Sequence, residues 1–208
     1  MSSDEEILFR DLISRYQAGE RDFSEVIIET PDSWTWKPGQ FRGLDLSGII
    51  LRDSNILQLG LYMDGVIMRG ADLTRVDLGD CNFAGGELSN AILCEARFFR
   101  GVFEMANFSG ADLTAAGLAW TDFFGADMSR VKLNNARIRA LGFVCTNFTD
   151  ATFCGARLKY VTFEKAKLIR TDFRGADFCL KNETASVKFR ECRFEQTIMP
   201  DGSIRSDS

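Results

Sequence analysis

From Met68 to Phe178 every fifth residue is Leu, Phe, Met or Ile, an unbroken run of 23 positions. The repeat reads Ala71-Asp72-Leu73, Val76-Asp77-Leu78, Cys81-Asn82-Phe83 and continues to Ala176-Asp177-Phe178. We term the large apolar residue the centre. The residue two before it is nearly always small or short, as at Ala71, Ala91, Ala111, Thr121 and Ala151, and residues two apart on an extended segment face the same side. An α-helix cannot use this beat, because five residues at about 100° each turn roughly 140° and smear the centres around the cylinder. A long strand cannot use it either, since five is odd and successive centres would change faces. The chain must turn a corner every five residues.

A second period fixes the number of sides. The centres Phe83, Phe103, Phe123, Phe143 and Phe163 are all Phe, while those between them are mostly aliphatic. Four repeats therefore make one coil, and identical side chains stack in a column with adjacent strands about 4.8 Å apart. The expected fold is all-β, a four-sided parallel solenoid of about eight coils and roughly 40 Å in length.

These residues resemble the pentapeptide-repeat family, whose pattern is a small residue, Asp or Asn, Leu or Phe, and two polar or small residues. The resemblance covers nearly the whole chain and implies a right-handed quadrilateral β-helix. The segment Tyr16-Gln17-Ala18-Gly19-Glu20-Arg21-Asp22-Phe23 is similar to the entry segment of cyanobacterial-type members.

Three parts are expected. In residues 1–20, Ser3 and Glu6 read as a capping box, followed by an apolar stripe of Ile7, Leu8, Leu12, Ile13 and Tyr16 ending near Gly19. That amphipathic helix would cover the first coil, whose interior and strand edge are otherwise open. Residues 21–199 form the solenoid, with insertions near 29–40, 62–66 and 179–188. The first is read as two repeats plus three residues, the second as a corner bulge at Met63-Asp64-Gly65, and the third as two repeats plus one. Residues 200–208 read as a polar tail with a disordered end that leaves the last coil uncapped, so a monomer, or a weak dimer through that coil, is expected.

Composition excludes several function classes. The chain has no histidine, no Cys-x-x-Cys and no paired nucleophile and base, which argues against a metal site, a cofactor and an enzyme. The six cysteines contain no pair one coil apart, so free thiols and a cytoplasmic setting are expected. The acidic start is no signal peptide, and no stretch is apolar enough to span a membrane. The net charge of −5 resides in residues 1–30, which leaves the remainder neutral and gives no call for nucleic acid. Asp72, Asp112, Asp122 and their equivalents precede centres, where they point outward and solvate the walls.

Unrolled at twenty residues per turn, one wall gathers Arg97, Phe99, Arg100, Trp120, Arg137, Arg139, Arg157, Lys159 and Tyr160, with acids only at its ends, Asp77, Asp80 and Asp177. Arginine and exposed aromatics anchor protein interfaces. Trp34 and Trp36, in the first insertion, either seal the early coils or form a second binding surface. The expected function is a non-enzymatic scaffold or interaction module for a protein partner. The alternative, implied by relatives that act on DNA gyrase, is a DNA mimic, which requires a continuous acidic stripe.

Overall fold

The computed structural model describes residues 5–29, 41–54, 63–178 and 187–207. The chain begins with β1 (Glu5–Leu8), enters α1 (Phe9–Gln17) and reaches β2 (Val26–Glu29). β1 pairs in parallel with β2, Ile7 opposite Ile28, so it supplies an extra rung below the first coil. α1 then lies across the open end with Phe9 and Leu12 buried and the Phe9 ring edge-on to Phe41 at 5.0 Å. This corrects the expected capping box. Glu6 is committed to the strand opposite Ile27, and the helix starts at Phe9 behind an extended Leu8 that makes no side-chain cap bond. Both open features of a solenoid end, the strand edge and the apolar interior, are covered.

Beyond the cap, the twenty-residue period is visible in the pairing. On the wall designated II, β3 (Arg97–Phe99), β4 (Gly117–Ala119), β5 (Arg137–Val144) and β6 (Arg157–Glu164) stack in parallel, with Phe98, Leu118, Ile138 and Leu158 in register. β5 and β6 run on around the next corner, which places Phe143 opposite Phe163 on wall III. β7 (Lys167–Ile169) belongs to wall IV; β8 (Lys188–Arg190) then pairs with β6 on wall III and β9 (Arg193–Glu195) with β7. Wall I is joined by single bridges, Asp22 to Ile50 to Asp72 and on through Asp112 and Thr152 to Ile198.

The centres fill the interior. Rings of Phe83, Phe103, Phe123, Phe143 and Phe163 follow one another at 5.4, 5.5, 5.8 and 5.2 Å, and Phe189 extends the column at 5.2 Å. Neighbouring columns meet them edge-on, as Phe148 does Phe143 at 4.9 Å. The column read from the sequence is present, with one member more.

Two kinds of corner turn the chain. After wall I, III and IV centres the turn often closes on itself: Val76 N–H donates to Leu73 C=O at 3.2 Å, Gly86 to Phe83 at 2.8 Å and Ala91 to Leu88 at 3.1 Å. Between walls II and III no such bond closes the corners after Leu78, Phe98 or Leu118. There the Phe98 carbonyl instead accepts the Thr121 hydroxyl of the next coil at 2.9 Å, so a buried acceptor stays satisfied.

The insertions follow this distinction. Asp22 pairs with Ile50, Ile50 with Asp72, and Asp172 with Ile198, which exceed the twenty-residue step by eight, two and six residues. The excess of eight falls between Ile28 on wall II and Phe41 on wall III and the excess of six between Phe178 on wall II and Phe189 on wall III, while the excess of two lies between Ser54 and Met63, outside the described residues. The expected lengths are therefore corrected, because each long excursion replaces one ordinary corner rather than two repeats. Met63 is itself a buried centre followed by a regular turn with Gly65 at φ 68°, so the second insertion lies before Met63 rather than at Met63-Asp64-Gly65. An open corner accepts extra residues without losing a turn hydrogen bond.

The tail also differs from expectation. β10 (Thr197–Ile198) pairs antiparallel with β11 (Ile204–Arg205). Asp207 accepts from Phe194 N–H at 3.1 Å, Ser206 from Gln196 N–H at 2.8 Å, and the Arg205 guanidinium sits 3.5 Å from the Phe194 ring centroid. Residues 200–207 thus fold back on the last coil and occupy part of the edge on which a weak dimer would rest. Polar composition suggested disorder, but the unpaired edge groups of the last rung provide partners for it.

Two consequences can be measured. Phe123 is fully buried between two Phe rings, and Phe→Ala in such a core costs about 3–5 kcal/mol. Phe123→Ala is expected to lower the melting midpoint strongly and Asp122→Ala only slightly; equal losses would contradict the stack. Deleting residues 1–17 should produce aggregation or end-to-end association in light scattering, and a monomeric, equally stable product would rule out the capping role of β1 and α1.

Candidate functional site

Wall II and its open corner bring the sequence-predicted residues together. Arg97, Gly117, Arg137 and Arg157 stand in one column and Phe99, Ala119, Arg139 and Lys159 in the next. Trp120 and Tyr160 occupy the corner itself at φ 51° and 56°. Left-handed backbone is costly for a bulky residue. Trp120 is also 54% exposed, so neither its conformation nor its burial accounts for its presence. Its ring meets Phe99 edge-on at 5.3 Å, with Arg139 at 5.9 Å from its centroid; Arg100 lies 4.9 Å from the Phe99 ring and Lys159 5.2 Å from Tyr160.

Charge pairing is sparse on this wall. On the other walls several cations meet carboxylates on the adjacent coil, Arg52 with Asp72 at 2.6 Å, Lys132 with Asp112 at 3.1 Å, Arg170 with Asp150 at 2.6 Å, and Arg75 with Asp53, whereas among the described residues Arg130, Lys167, Lys188 and Arg190 form no ion pair. On wall II Arg100 pairs with Asp80 at 2.9 Å. Among the described residues, Arg97, Arg137, Arg139, Arg157 and Lys159 form no ion pair and are exposed. Arg137 and Arg157, like Arg139 and Lys159, are direct register partners, so like charges repeat at one strand spacing.

Four exposed apolar residues escaped the sequence reading, Ile92 on wall I and Ile204 in the tail among them. Phe124 and Met105, 45% and 66% exposed, sit one and two residues after wall III centres, on the corner beyond Trp120. The adjoining Phe123-Phe124 pair was the available signal, since only one of two adjacent rings on a strand can face the core. Trp34 and Trp36 lie outside the described residues.

The outward acids have a further role beyond solvation. Asp77 accepts from Gly79 N–H at 2.9 Å, Asp122 from Phe124 N–H at 2.9 Å and Asp127 from Ser129 N–H at 3.0 Å, so each pins its own corner. Ion pairing to Arg75 and Arg170 holds the Asp53 and Asp150 carboxyls below their usual range. At Asp72 burial works in the raising direction, but the Thr74 and Arg52 hydrogen bonds outweigh it and the carboxyl is lowered. Carboxyls depressed in the folded state stabilise it above the unfolded pKa, and that contribution is lost as pH falls through the folded values. Thermal stability is therefore expected to be flat from neutral pH to about 4, the unfolded carboxylate range, and to fall below it. A midpoint that drops between pH 7 and 5 would contradict this.

Burial pushes the Cys81 thiol up to about 12, with Asp77 and Asp80 adding to it. The described cysteines, Cys81, Cys94, Cys145, Cys154 and Cys192, are free. Among the described residues no group of acids and cysteines could hold a metal ion, and no helix is long and apolar enough to cross a membrane.

Comparison with known proteins agrees with this architecture. The profile of pentapeptide repeats matches in eight copies across residues 63–139 and 146–180. The chain belongs to the pentapeptide-repeat family. Its solved relatives include HetL, a protein involved in heterocyst differentiation regulation from the cyanobacterium Nostoc sp. strain PCC 7120, at 20% identity, with 96% of this chain and 100% of that chain covered and a TM-score of 0.28. A trypsin-treated variant of QnrB1, a plasmid-mediated fluoroquinolone resistance protein, is 18% identical over 81% of each chain with a TM-score of 0.46. A pentapeptide repeat protein of the Arabidopsis thaliana thylakoid lumen is 28% identical, covering 51% of this chain and 67% of its own, with a TM-score of 0.32. No curated protein matches the sequence.

Proposed function

We propose that this chain is a rigid, non-catalytic interaction module that docks a protein partner on wall II and its open corner. The observation that carries this reading is the set of unpaired cations, Arg97, Arg137, Arg139, Arg157 and Lys159, beside the exposed rings of Phe99, Trp120 and Tyr160. Stacked like charges and solvated aromatics contribute little to a monomer's stability. They are the groups that select and anchor a partner with an acidic or mixed-charge surface. The segment that contains Trp34 and Trp36 leaves after Glu29 and rejoins at Phe41, on the same corner, and is the second candidate contact. Among the described residues the cysteines are free and no group of acids and cysteines could hold a metal ion, which suits a binding protein of a reducing compartment.

DNA mimicry, the activity that would link the chain to gyrase, is less well supported. Its acidic stripe would need unneutralised carboxylates, whereas Asp53, Asp72, Asp112 and Asp150 each face a cation one coil away.

Reversing Arg137, Arg139 and Arg157 to Glu tests the reading. These side chains point away from the core, so each change should shift stability by about 0.5 kcal/mol or less. Partners captured from a source-cell lysate by the wild type should be lost, and their capture by the wild type should weaken with salt. A normally folded triple variant that retains every partner would dismiss wall II.

A further inference from the structure

The corner between walls II and III has a regular succession of side chains. Arg100, Trp120, Ala140 and Tyr160 occupy one corner position on consecutive coils, all with positive φ. Ala140 is the small member, half-buried, between two large rings that are 54% and 45% exposed. With a rise of about 4.8 Å per coil, the backbones bearing Trp120 and Tyr160 are about 9.6 Å apart. Ala140 leaves this two-rise interval without a ring of its own, and a partner side chain entering it would meet the Arg139 guanidinium, 5.9 Å from the Trp120 centroid. Below Trp120 the equivalent space is already closed by the edge-on Phe99 ring.

The surroundings of that gap state what could enter it. Arg137 and Arg139 are two residues apart on β5, and Arg157 and Lys159 repeat the arrangement on β6. Side chains on the same face of an extended chain are about 6.7 Å apart, so a partner strand with carboxylates on alternate residues matches each row. One coil below, Gly117 and Ala119 carry no long side chain; a Cβ added at Gly117 would meet nothing within 4 Å, and a partner backbone can approach closely. The cationic zone is short. Asp77 and Asp80 bound it at one end and Asp177 at the other, so a long phosphate backbone would run into acids where a short peptide would not.

We infer that wall II binds an extended acidic segment of a partner protein, with alternate carboxylates over Arg137, Arg139, Arg157 and Lys159 and one aromatic or large aliphatic side chain held above Ala140 between Trp120 and Tyr160. This rests on the docking role proposed above and adds the chemistry of the bound segment.

Fluorescence anisotropy with neutral-dye-labelled peptides tests it. The probe is a ten-residue peptide alternating Glu with Thr and carrying one central Phe; the controls are the same peptide with Ala in place of Phe and a twelve-base-pair DNA duplex. The wild type should prefer the Phe peptide by about tenfold or more, the scale expected for burying most of an aromatic side chain. Ala140→Trp fills the gap at a position whose backbone already carries Trp120 and Tyr160. It should abolish that preference. Tyr160→Ala, which removes one side of the gap, should reduce the preference independently, and the triple Arg reversal should lose both peptides. A wild type without the preference, a preference that survives in both gap variants, or tighter binding of the duplex than of the Phe peptide would overturn the inference. Loss of lysate partners in the triple reversal together with no Phe preference in the wild type would overturn the bound-segment chemistry alone. Retention of those partners would overturn the docking role itself.

Discussion

Every feature of this chain depends on one contact repeated along an axis: each centre packs on the centre twenty residues away while the backbone N–H and C=O groups pair between coils. A single coil has no interior of its own, so its apolar residues are buried only by the coils above and below. The Phe column shows the result, with ring centroids held at 5.2 to 5.8 Å from Phe83 to Phe189. The same dependence makes the ends vulnerable. One is closed by β1 and α1, and the other is partly closed by the returning tail, in which Asp207, Ser206 and Arg205 engage the last rung.

Corners decide where the solenoid can vary. Where a turn is closed by its own hydrogen bond, as at Leu88 and Ala91, an insertion would break that bond and displace the next centre. The turns after Phe143, Phe163 and Leu168 are unclosed but carry no departure from the twenty-residue step. The corner between walls II and III also has no such closure after Leu78, Phe98 or Leu118, and the two longest departures, after Ile28 and Phe178, fall there. Trp120 and Tyr160 stand on the same corner. Solvated rings and the unpaired cations of wall II stand together on one edge, while walls I and IV and the corner between them carry the coil-to-coil ion pairs of Arg52 with Asp72, Lys132 with Asp112 and Arg170 with Asp150.

The fold was legible because the beat of five and the period of twenty are properties of composition along the chain, and stacking turns them directly into geometry. Arg97 to Tyr160 could be assigned to one wall for the same reason. What could not be read was anything that depends on which backbone groups remain unpaired. Glu5–Leu8 carries helical amphipathicity, yet the open edge of β2 recruits it as a strand. Residues 200–207 are polar, yet the last rung holds them. The excursion lengths were misjudged because a missing centre could be counted as a repeat, and only the pairing of Asp22 with Ile50 and Asp172 with Ile198 fixes the count. Whether the wall II cations were paired was likewise invisible, since pairing depends on which carboxylate stands one coil away.

The central claim is that a uniform, stable rod presents one binding edge. Hydrogen–deuterium exchange of the whole chain, with and without the Glu-Thr peptide bearing a central Phe, addresses it directly. Added protection should appear at amides of residues 117–120, 137–140 and 157–160 and nowhere on walls I and IV. Protection centred on walls I or IV, or spread evenly along the rod, would contradict the account.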